Sequence, residues 1–376
     1  MSPLVPCAYG SPGRWQPRPT ELAPPLVPAW ASSPAEDLVD TPILGEDLAF
    51  CVSRPRGLVA LDASSGREAW RRDTLRGWGS CQLTADGSLV TTPRPGVLAV
   101  LDSTSGADIR SFEVRDILLQ YGVIADALVV SPLEEGTIGA WDLSAGRLAW
   151  RVPASWRPSL LSASAGAVCF TEQSAYVALD LATGGERWRF DVTELGRHHT
   201  AMWGDRPGQT TGHPIVADDT AYVGVTGGWL IALDLRSGAV RWQSQVNATI
   251  PSNFALAPGN VLLFLGDDTL VTIDARTGNQ RDRRMLAGSP DTGSSGPYSP
   301  VSVTTRYLWT VDRRGRLVAI SRDEARVSVI ADLGSRVPGP PALGGGRLFV
   351  VDSGGRLAVF GEESANRRVP FSQARL

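Results

Sequence analysis

Lysine is absent from this chain of 376 residues: all 36 basic residues are arginine. Schiff-base chemistry and a lysine general base are thereby excluded. Histidine is scarce, at three residues. The four cysteines, Cys7, Cys51, Cys81 and Cys169, are scattered, with no CxxC and no adjacent pair. That spacing excludes a disulfide framework and predicts free thiols. No stretch approaches the ~20 apolar residues of a membrane span. The opening Met1-Ser-Pro-Leu-Val-Pro-Cys7 shows no basic n-region and no apolar h-region. The expectation is a soluble cytoplasmic protein without a membrane partner. A net charge of −3 leaves no footprint for nucleic acid. There is no GxSxG, no HExxH, no phosphate loop and no obvious triad, so no strong catalytic signature is present.

What the chain does have is a repeat. Residues 60–70 read Ala-Leu-Asp-Ala-Ser-Ser-Gly-Arg-Glu-Ala-Trp, and the pattern returns at 140–150, 178–188 and 232–242. Weaker copies surround Asp102, Asp274, Ser321 and Phe360. The eight successive anchors stand 40, 40, 38, 54, 40, 47 and 39 residues apart. A period of this size, with several short strands per unit, predicts an all-β fold, an eight-bladed β-propeller. Gly 40 and Pro 27 suit short strands and turns, and a hydrophobic content of 43% suffices for a continuous core.

One unit shows the logic. Pro214-Ile-Val-Ala runs into a turn, Ala221-Tyr-Val-Gly-Val follows, and Thr226-Gly-Gly turns again. Trp229-Leu-Ile-Ala-Leu-Asp234 and Ala239-Val-Arg-Trp-Gln243 complete a four-stranded antiparallel meander. Asp234 accepts hydrogen bonds from its own turn, and Gly238 takes a left-handed position. The closing Trp packs flat on a neighbouring blade, burying ~150–250 Å².

The segment AxDxxTGxxxW resembles the tryptophan-docking motif of the quinoprotein (PQQ-like) propeller family. Asp180, Thr183, Gly184 and Trp188 match it fully. Asp62/Gly66/Trp70, Asp142/Gly146/Trp150 and Asp234/Gly238/Trp242 match with Ser or Ala at the Thr place. Asp274/Thr277/Gly278 has Asp282 in place of Trp, and the last two blades keep only Ala319 and Ala358. The resemblance covers roughly residues 40–370. It implies either a PQQ-dependent dehydrogenase or a cofactor-free propeller of the outer-membrane-assembly kind. Trp203-Gly204 echoes a Trp-Gly segment of the dehydrogenases. Their adjacent cysteine pair is missing, and of their Ca²⁺-binding Glu/Asn/Asp set only Asn253 is identifiable. The expectation is therefore no cofactor, neither PQQ nor Ca²⁺, and no metal.

Residues 1–24 read as a Pro-rich tail and 25–372 as a single propeller. A docking Trp precedes the next anchor by 32 residues, as Trp70 does Asp102, and Trp30 precedes Asp62 by 32 as well. Leu26-Val-Pro-Ala-Trp30 therefore predicts the outer strand of the last blade, with residues 25–31 closing the ring. Arg368-Val-Pro-Phe371 competes for the same slot. A closed ring has no open edge demanding a second copy, so a monomer is expected.

The position 21 residues before each anchor lies where an inner strand begins, at the mouth of the channel. It reads Thr41, Cys81, Tyr121, Ser159, His213, Asn253, Pro300 and Gly339. Six of the eight are polar or reactive, and with Gln82 they form a candidate ligand ring. Two insertions reach the same face. The first, Glu194 to His213, holds all three histidines, His198, His199 and His213, together with Trp203 and Asp205. The second, Gly288 to Ser299, includes Tyr298 and Ser299. Long loops in a compact fold tend to carry function. Two classes of function follow. One is a propeller that binds a small molecule or a protein at its loop-rich mouth. The other is a cofactor-independent cyclase, lyase or isomerase of a natural product, with His213 as acid–base group and Tyr121 and Asn253 as oxyanion donors.

Overall fold

A computed structural model of the chain describes residues 21–363, except 54, 74–79, 115–116, 134–135, 155–160, 173, 196, 201–203, 247–253, 260, 267–268, 288–300, 313, 335–336, 338 and 353. Eight four-stranded antiparallel sheets make up an all-β propeller. Blade 1 comprises Leu38–Leu44, Leu48–Ser53, Gly57–Asp62 and Glu68–Arg72, hydrogen-bonded in that order. Blades 2 to 8 begin with Cys81–Leu83, Val123–Ala125, Ser162–Ser164, Thr210–Ala217, Phe254–Ala257, Ser302–Val303 and Ala342–Gly344. First strands of neighbouring blades touch at most of the seams, which places them at the centre. Blade 8 takes its outer strand from the other end of the chain. Leu26–Ser32 pairs antiparallel with Leu357–Glu362, Leu26 opposite Glu362 and Ser32 opposite Leu357. Among the described residues no helix is long and apolar enough to cross a membrane.

The middle strands read as unbroken apolar runs because both of their faces are buried. In Gly57–Asp62, Leu58 and Ala60 point into the core shared with blade 2, while Val59 and Leu61 point into the core shared with blade 8. Alternation along a strand thus serves two neighbours at once. The hydrophobic interior is accordingly divided into eight clusters, one at each seam between blades.

On top of six of these clusters sits the repeat motif. Asp62 Oδ1 accepts the backbone N–H groups of Ser64 (3.1 Å) and Ser65 (2.7 Å) and both their hydroxyls, which shapes the turn after the third strand. The turn ends at a glycine with positive φ, such as Gly238 at +72°. The indole of the preceding blade lies against that glycine. A Cβ on Gly238 would stand 2.7 Å from Trp188 Cγ, so an L side chain is excluded both by backbone and by space. Each indole also donates across the seam to the carbonyl next to the anchor aspartate. Trp70 Nε1 reaches Ser103 O, Trp150 Leu181 O, Trp188 Leu235 O and Trp242 Ala275 O, all at 2.9 Å. Trp30 does the same to Ala63 O at 3.1 Å, so the last blade locks onto the first.

Blade 2 divides this work between two residues. Arg110 stands where the others have Trp, and its Nη1 donates to Leu143 O (3.0 Å) and Ser144 O (2.7 Å). Phe112, two residues on, covers Gly146.

Two expectations follow. Trp188→Ala should lower stability by about 3–5 kcal/mol, the range for deleting a large buried aromatic, read as a fall in the denaturant midpoint. The second concerns acid. Thr104 and Ser105 hold the Asp102 carboxyl down to about 2, and Arg281 chiefly does the same for Asp274. A carboxyl depressed in the folded state contributes stability that is complete above its unfolded value of about 4 and lost as pH falls further. The Tm should therefore drop as pH falls from about 4 toward 2, and Asp102→Asn with Asp274→Asn should flatten that drop.

Candidate functional site at the connection face

Antiparallel pairing sorts the loops onto two faces. The turns joining first to second and third to fourth strands, with all the Asp–Gly turns, lie on one face. The turns joining second to third strands, and every connection to the next blade, lie on the other. The lengthened connection between blades 4 and 5 therefore emerges on the same face as the starts of the inner strands, while 288–300 lies outside the described residues.

Two side chains of the polar ring there are engaged with backbone. Gln82, buried in Cys81–Leu83, donates through Nε2 to Leu119 O (3.2 Å) and Gly122 O (2.9 Å) of blade 3. Thr41 is buried, and its Oγ1 donates to Pro340 O of blade 8 at 2.8 Å. Two residues outside the ring behave alike. Ser162 Oγ donates to Pro214 O of blade 5 at 2.6 Å, and Ser302 Oγ donates to Pro341 O of blade 8. Together they form a belt of blade-to-blade hydrogen bonds around the channel. Proline suits the acceptor side because it offers a carbonyl without an N–H. Cys81 is buried in the seam between blades 1 and 2. Burial pushes the thiols of Cys51 and Cys169 up to about 12, which removes them as nucleophiles at neutral pH.

Tyr121 and His213 are placed differently. Tyr121 closes a short 3₁₀ turn, Leu119–Tyr121, with its side chain at the surface (39% exposed). Its backbone is held from both sides. Its N–H donates to Leu118 O, and its carbonyl accepts Leu161 N–H from blade 4, both at 2.9 Å. His213 is half-buried in the inner strand of blade 5, where pairing breaks between Thr211 and Ile215 and the strand bulges. Tyr176 fixes that bulge from blade 4. Its hydroxyl donates to Gly224 O (2.5 Å) and receives Thr211 N–H (3.3 Å). Burial pushes this phenol well above its ordinary range, so it stays protonated. Blade 1 has a matching break between Val39 and Ile43, at Thr41.

The first insertion is a β-hairpin with a closed neck. His198–Thr200 pairs with Gly204–Arg206, His198 opposite Arg206 and His199 opposite Asp205. At its base Gly208 N–H donates to Thr193 O (2.7 Å) and Gln209 N–H to Thr226 Oγ1 (2.9 Å). Thr210 Oγ1 donates to Glu172 O at 2.9 Å, and Leu195 packs on the seam between blades 4 and 5. Asp205 is exposed on the hairpin. Ser159, Trp203, Asn253, Tyr298 and Ser299 lie outside the described residues. Among the described residues no group of three or more His, Cys, Asp and Glu stands together as a metal site.

The sequence pattern matches the family described as outer membrane protein assembly factor BamB, a PQQ-like repeat family, over residues 28–116, 134–298 and 291–368. The chain belongs to that family. BamB of Yersinia pestis is 27% identical over 299 residues, 72% of this chain and 71% of that protein. The serine/threonine-protein kinase AfsK of Streptomyces coelicolor is 32% identical over 184 residues, 47% of this chain, and the match spans only 22% of the kinase. Among solved structures, BamB of Moraxella catarrhalis superposes with a TM-score of 0.66 at 19% identity, covering 90% of this chain and 98% of that one. That likeness concerns the fold.

The Tyr176 contact separates site architecture from general stability. Tyr176→Phe removes the hydroxyl's bonds to the Thr211 N–H and the Gly224 carbonyl, at a cost of about 1–3 kcal/mol. The loss should appear as a lower Tm and as faster amide exchange at Thr210–His213 in particular.

Proposed function

We propose that this chain is a non-catalytic binding propeller that captures a protein partner on its connection face. The observation that carries this reading is Tyr121, an exposed aromatic on a backbone held by one hydrogen bond within its own turn and one from blade 4. Such a residue presents a large, partly apolar surface with little ordering left to lose on binding. The hairpin closed at Thr193 and Gly208 adds a second anchored projection on the same face. Family membership supports a protein partner, because relatives in this family are named as assembly factors. The likeness to AfsK supports the same fold acting beside a signalling enzyme.

A small organic ligand is the second reading, and His213 favours it. A half-buried imidazole in a bulge pinned by Tyr176 has the placing of a polar contact in a ligand site. An enzyme of the cyclase or isomerase kind would use the same residue as its acid–base group. For PQQ with Ca²⁺, Asn253 lies outside the described residues, and no group of three or more His, Cys, Asp and Glu among the described ones supports a Ca²⁺ site.

A photo-crosslinking residue at position 121, compared with one at Arg236 on the opposite face, tests the reading. Crosslinked protein should form from position 121 and not from 236. Tyr121→Ala should weaken affinity for the captured protein by roughly 30-fold, the loss typical of an aromatic hot spot, with Tm unchanged. Loss of small-molecule binding or turnover in His213→Ala, with no crosslink at 121, would establish the second reading instead.

A further inference from the structure

Six consecutive seams, from 8/1 round to 5/6, carry an aromatic ring against a positive-φ glycine. The pairs are Trp30/Gly66, Trp70/Gly106, Phe112/Gly146, Trp150/Gly184, Trp188/Gly238 and Trp242/Gly278. Among the described residues, blade 7 has the contact on neither side. At the seam with blade 6, Asp282 occupies the strand position of the indole. It pairs with Thr272, as Trp242 pairs with Ala232 one blade earlier. Its carboxylate turns back along its own strand, accepting Arg283 N–H at 2.8 Å and pairing with Arg284 at 2.5 Å. The partner turn in blade 7 keeps its shape without glycine. Ser321 N–H donates to Arg326 O and Ala325 N–H to Ser321 O, both at 2.9 Å, with Ala325 at φ +52°.

Ring and glycine are therefore lost together, as sterics require. With no indole overhead, a Cβ at the fourth turn position meets nothing that forbids it. What meets Ala325 instead is the end of blade 6, where Leu286 shares its buried cluster and the next residue reaches it with backbone. Ala287 N–H donates to Ala325 O (2.9 Å), and its carbonyl accepts Val327 N–H (2.7 Å), an isolated parallel bridge. Arg322 adds one bond across the seam, from Nη2 to Pro258 O at 3.2 Å.

The seam with blade 8 is also closed differently. Ser328 stands opposite Ala319, where the other blades place the indole, and Val329 beside it is 47% exposed. The gap is filled by Leu22, 2% exposed, from the segment that leads into the closing strand. Ala23 N–H holds that segment to Glu362 Oε1 at 3.2 Å. The inner strand of blade 7, Ser302–Val303, pairs with its neighbour at two positions only.

We propose that blade 7, residues 302–332, is the release point of the ring: it parts from blades 6 and 8 as a unit while the six docked seams stay closed. The device needs no ligand to exist. A ligand that favoured the parted ring would draw on this equilibrium.

Hydrogen exchange on the full-length protein tests it. Amides in Tyr307–Val311 and Arg316–Ser321 should exchange at least about tenfold faster than those in Thr220–Val225 and Trp229–Asp234, the same strands of blade 5. Equal protection in the two blades would overturn the proposal, and this comparison needs only the wild-type chain. The second arm restores the motif. Asp282→Trp with Ala325→Gly should slow exchange in blade 7 by about tenfold and leave blade 3 unchanged. Asp282→Trp alone should not, because the Ala325 Cβ would meet the new ring. A double variant that folds but leaves blade 7 exchange unaltered would also count against it.

Discussion

The ring depends on one contact, an indole laid flat on a glycine of the next blade. It ties three levels of structure together. The aspartate shapes a turn, the turn demands a left-handed residue, and only glycine there leaves room for the ring above it. The indole N–H then finds the carbonyl beside the aspartate, so the large buried aromatic carries no unpaired donor. Stability is thus assembled from nearest-neighbour seams, as in other repeat folds. The exceptions follow the same physics. Blade 2 supplies the donor from Arg110 and the ring from Phe112. The seam between blades 6 and 7 drops ring and glycine together and uses backbone hydrogen bonds.

The same geometry explains where polar side chains can go. Middle strands face a neighbouring blade on each side, and the buried polar residues they admit are, Glu172 apart, Ser and Thr. Inner-strand starts are different, because adjacent blades converge there and present carbonyls that their own sheets do not use. Gln82, Thr41, Ser162 and Ser302 are drawn into satisfying them. The polarity of the channel mouth is in part the polarity of fasteners, and a ligand must use what the belt leaves over. Tyr121 is left over in that sense, since its hydrogen bonds are all backbone and its ring is exposed.

How much of this can be read from the chain depends on whether the cause is local. The eight blades are legible because anchor, glycine and tryptophan sit at constant offsets, and each offset encodes one hairpin. Trp30 obeys the same offset to Asp62, although its strand pairs with the far end of the chain. The substitution in blade 2 is not legible, because Phe112 sits two residues off the indole position and Arg110 resembles any surface arginine. Nor is the belt. Thr41 and Gln82 are the residue types expected of a ligand site, and only the three-dimensional position of the Pro340 and Gly122 carbonyls shows their other employment. Tyr176 illustrates the same limit: within its strand it reads as one more core aromatic, and its hydroxyl matters only because the bulge of the following blade comes within reach.

A repeat fold can be specific only where the repeat is broken. The face bearing the Asp–Gly turns shows nearly the same surface blade after blade, with aspartates, serines and arginines occupied by one another. A partner bound there would meet several near-equivalent registers. On the connection face the sequence departs from its period at the hairpin between blades 4 and 5, and the irregular turn holding Tyr121 adds an exposed aromatic. These departures cost the fold little, because a surface connection is stretched without disturbing the seams beneath it. Selection for binding therefore acts most freely on the same face that the belt holds rigid. The scaffold contributes position and the irregular connections contribute identity, so specificity should track residues such as Tyr121 and Asp205 rather than any member of the docking motif.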